Sequence, residues 1–183
     1  MKRENLYLAY GSNLSVHQML ERCPDAIYVG TAELKGWRLL FKGSQSGSYL
    51  TIEKKKGRKV PVLVWKVSKR DEKKLDAYEG APRFYQKEEM EVELHNLADG
   101  APIGKVTAFV YIMDENRRTG QPDDWYYYTC EEGYLRFGFD TAILKIAYEE
   151  STGKSGEVHD EISRQGNSGQ GESDVPAGIT SGS

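Results

Sequence analysis

Three short segments carry the side chains of greatest chemical capability in this 183-residue chain. The first is Tyr7-Leu8-Ala9-Tyr10-Gly11-Ser12-Asn13-Leu14, where an apolar strand-like run stops at Gly-Ser-Asn and a helix-like stretch follows at once. Such a strand–turn–helix junction aims several backbone N–H groups at one point, which suits an anion or a developing oxyanion. Gly11 can take a positive φ at no steric cost, and Asn13 tolerates one better than most residues. Ser15 with Gln18 reads as a capping box that starts the helix just past the loop. The same letters also suit a plain strand-to-helix turn without chemistry.

The second segment is Leu75-Asp76-Ala77-Tyr78-Glu79-Gly80. A helix running to Tyr78 would stop at Gly80, whose missing Cβ suits a left-handed cap. Glu79 then sits at the helix C-terminus, where the macrodipole disfavours negative charge, and partial burial would raise its proton affinity further. Both properties fit a general acid/base; the plain alternative is a solvated helix-end glutamate. Asp76, one turn earlier, is the competing acid and is expected to face solvent. The third segment, Pro122-Asp123-Asp124-Trp125-Tyr126-Tyr127-Tyr128 leading to Gly133-Tyr134, presents Tyr126 and Tyr127 on different helix faces. At least one of the two must pack in the core.

Other chemistries lack their residues. The three histidines, His17, His95 and His159, are scattered, and neither HExxH nor CxxC occurs, so no zinc site is expected. There is no G-x-S-x-G elbow. The Gly11 loop has no P-loop lysine, and Gly80, Gly100 and Gly104 do not form a dinucleotide fingerprint. What remains is a reaction without metal or organic cofactor, run on carboxylates, hydroxyls and backbone dipoles.

The elements that must position these groups are mostly strands. Runs rich in β-branched and aromatic residues predict strands at 5–10, 27–33, 37–42, 48–53, 60–67, 87–95 and 105–112, with Met90, Val92 and Leu94 facing inward. Helices are predicted at 15–22, 69–78, 123–136 and 140–150, the second capped by Ser68 and the fourth by Asp140. Short turns join most strands, so the pattern is α+β: a largely antiparallel or mixed sheet with helices at its margin. Whether the sheet closes into a barrel is left open.

A net charge of −3 and a pI near 5.7 argue against nucleic acid as a partner. The basic cluster 54–59 reads as a solvated hairpin tip between two strands. The apolar run after Lys2 and Arg3 is too short for a signal peptide, and no segment reaches membrane-spanning length. Cys23 and Cys130 fit neither a metal spacing nor a disulfide framework, which points to a reducing cytoplasm. From Ser151 to Ser183 there is no Phe, Trp or Tyr, and Gly, Ser and charged residues dominate. Residues 1–150 are therefore expected to form one catalytic domain and 151–183 a disordered tail.

Taken together, the three segments resemble the γ-glutamylcyclotransferase-like superfamily, which includes γ-glutamylcyclotransferase, γ-glutamylamine cyclotransferase and the AIG2-like proteins. Tyr10-Gly11-Ser12-Asn13-Leu14 looks like the family's substrate loop. Glu79-Gly80, followed by Tyr85 and an alternating strand, is similar to the segment with the family's catalytic glutamate. Pro122, Tyr126 and Gly133 resemble its late Pro…Tyr…Gly helix. The resemblance spans roughly residues 5 to 145 in the same order. It implies a small mixed, mostly antiparallel β-barrel with flanking helices. It also implies an enzyme that releases 5-oxoproline and a free amine or amino acid from a small-molecule γ-glutamyl amide. Glu79 would be the general acid/base, and Tyr10, Gly11, Ser12, Asn13, Leu14, Tyr85 and Tyr126 would bind substrate.

No metal, organic cofactor, nucleic acid or membrane is implied, and the oligomeric state stays open. Spacing alone favours Tyr126 over Tyr127 and Tyr128 as the pocket tyrosine. The aromatic run 134–139 and the Asp123-Asp124-Trp125 lead-in depart from the family pattern, and substrate choice would change if they border the pocket. Two alternatives stand beside this reading: the same chemistry on another leaving group, such as an isopeptide amine, and a binding module that holds a γ-glutamyl ligand without turnover.

Overall fold

The computed structural model describes residues 5–44 and 46–154. Among the described residues there are six strands, β1 (Leu6–Ala9), β2 (Ile27–Ser44), β3 (Gly47–Lys66), β4 (Tyr85–His95), β5 (Pro102–Met113) and β6 (Arg118–Thr119). Four α-helices accompany them, α1 (Val16–Arg22), α2 (Lys69–Glu79), α3 (Asp124–Arg136) and α4 (Ala142–Thr152). A single 3-10 turn, Ser12–Leu14, joins β1 to α1. Strand order β3-β1-β5-β4-β2, with β2 also paired to β3, closes a five-stranded barrel, and β6 adds to the edge of β2. The β1–β5 pair is parallel and the rest are antiparallel.

Closure explains where the expected strands were cut too short. The runs at 27–33 and 37–42 are one strand, and so are those at 48–53 and 60–67, because β2 and β3 pair along nearly their whole length. Both must bend to wrap the barrel. They do so where Lys35 pairs with Lys59 and Trp37 with Lys54, leaving residues 55–58 bulged opposite Gly36. Gly36 (φ 82°) and Gly57 (φ 81°) supply the backbone freedom. The basic cluster 54–59 is therefore a bulge in β3 and not a hairpin tip; the β2–β3 hairpin turns at Ser44–Gly47. Lys54, Lys55 and Lys56 are exposed on it, while Lys59 pairs with Glu33 and Arg58 with Glu150. Closure across β2 and β4 demands glycine at position 30, where a Cβ would lie 2.4 Å from the His95 carbonyl oxygen.

The barrel is filled by fully buried side chains such as Leu8, Phe41, Ile52, Leu63 and Trp65. Burying one such side chain is worth about 1.5–3 kcal/mol, so the interior holds the fold against its ordering entropy. Local capping follows the sequence. Ser68 accepts the Asp71 amide (3.1 Å) to start α2, and Gly80 (φ 63°) ends it in the left-handed region. Asp123 accepts the Tyr126 amide (2.8 Å) to start α3. At α4 the Asp140 carboxylate accepts the Ala142 amide (3.0 Å), although Thr141 is the cap residue.

Helix α4 outlasts its expected end. It runs to Thr152 and is capped by Gly153 (φ 71°), so a domain boundary at residue 150 falls inside it. Ser151 is buried, with its Oγ accepting the Phe41 amide at 2.8 Å. The remainder of the tail, from residue 155, lies outside the described residues. No helix among the described residues is long and apolar enough to cross a membrane.

Candidate active site

The strand-to-helix junction and the end of α2 meet at one mouth of the barrel. After β1 the chain turns through Gly11–Leu14, with the Leu14 amide donating to the Gly11 carbonyl and the Ser15 amide to the Ser12 carbonyl, both at 3.0 Å. The amides of Ser12 and Asn13 make no backbone hydrogen bond among the described residues. Gly11 does not use a positive φ (it sits at −128°). Space there is tight, since a Cβ would come within 3.3 Å of Tyr126 Oη, with Leu50 Cβ in ordinary contact at 3.5 Å.

Asn13 is the hub of the junction. It is buried, and the Trp65 indole N–H donates to its backbone carbonyl at 3.1 Å. Its side-chain Nδ2 donates to Tyr7 Oη (2.9 Å) and to Glu79 Oε1 (3.2 Å). The Arg22 guanidinium, from the end of α1, donates to Asn13 Oδ1 and lies 3.4 Å from the Tyr78 ring centroid. With Oδ1 held by a donor that cannot accept, the amide has one sensible orientation, and it presents N–H to the carboxylate.

Glu79, at the last residue of α2, has its pKa pushed up to about 7 by burial, against the lowering effect of Arg22 and the Asn13 hydrogen bond. Burial outweighs the charge of the arginine. The phenols of Tyr7, Tyr10, Tyr85 and Tyr126 are pushed well above their usual range by the same desolvation, with Glu79 adding to each, so they remain neutral. Most are tied to backbone. Tyr10 donates to the Tyr111 carbonyl, Tyr85 donates to the Leu50 carbonyl (2.8 Å), and Tyr126 Oη accepts the Leu50 amide (3.0 Å). They form a rigid wall more than a set of free donors.

These groups surround a small recess of about 30 Å³ faced by Tyr10, Gly11, Ser12, Asn13, Glu79, Tyr85 and Tyr126, seven of the eight residues expected from the sequence. Leu14 is the exception. It is fully buried behind the loop, packed so closely on α3 that a Cβ at Gly133 would come 2.4 Å from Leu14 Cβ. Its amide is spent within the turn, so it neither faces the recess nor has an N–H to offer. Asp76 is partly exposed, as expected, but its carboxylate also takes the Tyr111 hydroxyl and the Lys87 ammonium, both at 2.6 Å.

Sequence reasoning missed Tyr7, Leu50 and Tyr111, which complete the recess wall, and Arg22 behind Asn13. Nothing in the local sequence marks Leu50, Tyr111 or Arg22, since each arrives from a different element. Of the three consecutive tyrosines, Tyr126 faces the recess. Tyr127 packs among Phe41 and Tyr148, and Tyr128 is half exposed. The aromatic run after Gly133 faces elsewhere: Phe137 packs edge-on to Tyr28 and Phe139 to Tyr134. Trp125 is 78% exposed, clear of the recess. Among the described residues no cluster of His, Cys, Asp and Glu could hold a metal ion.

The chain matches the family described as gamma-glutamyl cyclotransferase, AIG2-like, over residues 7–129. It is 27% identical over 171 residues to the gamma-glutamylcyclotransferase of Homo sapiens, covering 88% of each chain. To that of Bos taurus it is 35% identical over 82 residues, 41% of this chain and 44% of the relative. A solved structure of a gamma-glutamyl cyclotransferase superposes with a TM-score of 0.68 at 27% identity, covering 88% of this chain and 99% of the other.

Proposed function

The chain belongs to the gamma-glutamyl cyclotransferase, AIG2-like family, and from that premise we propose that it is a cyclotransferase acting on a γ-glutamyl amide with Glu79 as general acid/base. The α-amino nitrogen of the γ-glutamyl group attacks the δ-carbonyl carbon, closing a five-membered ring. The C–N bond to the leaving amine then breaks, releasing 5-oxoproline and the free amine. Two protons leave the attacking ammonium, one before attack and one as the ring nitrogen becomes an amide. Glu79 takes them in turn and returns one to the leaving nitrogen as the C–N bond breaks. The other ends on the free amine, which departs as an ammonium, so no proton is gained or lost overall.

The observation that carries this reading is a carboxyl with a pKa of about 7, held by the Asn13 amide in a recess beside unspent backbone N–H groups. An α-amino group at a peptide terminus has an ordinary pKa of about 8, and the free carboxylate beside it in a γ-glutamyl group raises that further, so transfer to Glu79 is uphill but far less so than to an ordinary carboxylate. A carboxyl near its ordinary value would be a far weaker base. The Ser12 and Asn13 amides suit the substrate carboxylate or the tetrahedral oxyanion. Attack within one molecule asks the wall of tyrosines only to hold the productive rotamer, which is worth much of the barrier in well-oriented systems. Two free buried cysteines fit the reducing cytoplasm we assign to it.

The test is 5-oxoproline release from γ-glutamyl dipeptides and γ-glutamyl amines, wild type beside Glu79→Gln. Turnover by wild type alone is the expected result. Silence from wild type across the panel, with ligand still bound, would replace the enzyme by a binding module.

A further inference from the structure

Past Glu79 the inner recess opens into a second one with different walls. The inner is faced by hydroxyls, the Asn13 amide and the Glu79 carboxylate; the outer, about 310 Å³ and open to solvent, is faced by the rings of Tyr49, Tyr78 and Phe84. Ser12, Glu79, Tyr85 and Tyr126 face both, so the two are continuous at the carboxylate. The outer rings are not core residues: Tyr78 is 50% exposed, and Tyr49 and Phe84 are half-buried. They are nonetheless held in place. Tyr49 stands edge-on to Tyr126 (5.1 Å between centroids) and to Phe84 (6.3 Å). Three braced aromatic rings converging on an open recess are what a binding site for an apolar group needs.

Charge narrows the choice further. The Arg22 guanidinium covers Tyr78 at 3.4 Å and that of Arg117 covers Phe84 at 4.1 Å. Arg117 Nε is shielded from solvent and meets no acceptor among the described residues. Of the residues facing either recess, only Glu79 is acidic. Neither arginine lines a recess, and each already donates to a protein oxygen, Arg22 to Asn13 Oδ1 and Arg117 to the Arg83 carbonyl (3.3 Å). Both nonetheless stand on rings of the outer wall, so a leaving half that carried a cation, such as a diamine, would enter beside two guanidiniums of its own sign. One with a carboxylate meets them with the opposite sign.

Resting on the cyclotransferase reading, the scissile carbonyl must lie at Glu79, which assigns the acyl half to the inner recess and the leaving half to the outer. We infer that the leaving half is an α-amino acid with a large aromatic side chain and a free carboxylate. Its ring lies against Tyr49 and Phe84, and its carboxylate turns toward Arg117.

The experiment compares kcat/KM of the full chain for γ-glutamyl-phenylalanine, γ-glutamyl-alanine and γ-glutamyl-phenethylamide. The aromatic dipeptide is expected to exceed the alanine dipeptide by about tenfold, the scale of one or two ring contacts. It is expected to exceed the phenethylamide, which lacks only the carboxylate, by about twofold to fivefold. Tyr49→Ser should bring the phenylalanine-to-alanine ratio near one, whereas Tyr49→Phe keeps it; Tyr49→Leu serves if the serine variant does not fold. Arg117→Met should erase the preference for the carboxylate, and Arg117→Lys should keep part of it. Equal rates on all three substrates, or a ratio that survives Tyr49→Ser, would overturn this inference and leave the cyclotransferase reading intact. Absence of 5-oxoproline from every substrate would overturn both.

Discussion

Asp76 and Glu79 stand one turn apart on the same helix, and the two regions around them have opposite characters. Asp76 accepts a lysine ammonium and a phenol, both at 2.6 Å, at a rim that is partly open to water. Glu79 is turned into the recess, accepts one neutral amide, and has a pKa raised by burial to about 7. Lys87 is shared by Asp76 and Glu72. Asp76 spends its oxygens on direct partners, whereas a carboxylate placed among rings and an amide is free to exchange its proton near neutrality. The difference lies in what the barrel brings up to each residue, because helix and residue class are the same.

The sharpest way to break this contrast is to neutralise each member. Glu79→Gln should lower kcat by about 10²–10⁴-fold, the usual scale for a lost general base, while circular dichroism stays native. Equal activity in the Gln variant would remove Glu79 from the mechanism.

The pH dependence sharpens the comparison. The base must be ionised, so kcat/KM should fall about tenfold per unit of pH below about 7 and level off above it. Arg22 lowers the Glu79 pKa, so Arg22→Met should move this acid limb to higher pH, with Arg22→Lys moving it less. A limb that stays put in both variants would show that Arg22 acts on Asn13 alone.

Stability offers a smaller effect with its own sign. The folded pKa of Glu79 lies above its ordinary value of 4.5, so its contribution is fully present below that value and is lost as pH rises through about 7. Glu79→Gln, which mimics the protonated form, should therefore be more stable than wild type at pH 8 by on the order of 1–3 kcal/mol and nearly equal at pH 4. Urea melts at the two pH values check this. Asp76→Asn should do least. Lys87 keeps Glu72, and the new amide oxygen can still accept from Tyr111, so a loss of about 0.5–1 kcal/mol and a kcat within about threefold of wild type are expected.

What could be read along the chain was whatever depends on neighbours in sequence. Ser15, Ser68 and Gly80 cap their helices because a cap is a contact across three or four residues. Leu14 was misplaced for the same reason in reverse. A loop motif reads as one unit, yet successive side chains point to different sides, and the fifth residue of this one anchors the loop to α3 through Gly133. The long strands β2 and β3 were cut in two because the bulge at 55–58 looks like a turn until both arms are seen to pair with one partner.

The sequence alone determined the chemistry available: a helix-end glutamate beside a left-handed glycine, a Gly-Ser-Asn loop after a short strand, and a tyrosine-rich helix, with no metal spacing and no nucleophile motif. Those are properties of residue type and local geometry. Only the tertiary structure decided which chemistry the groups have. Barrel closure sets Asn13 against Glu79, stacks Arg22 on Tyr78 behind them, and turns Tyr126 rather than Tyr127 toward the recess. A proton affinity depends on desolvation and on charges a few ångströms away, and here those come from residues 66 and 57 positions distant in the chain.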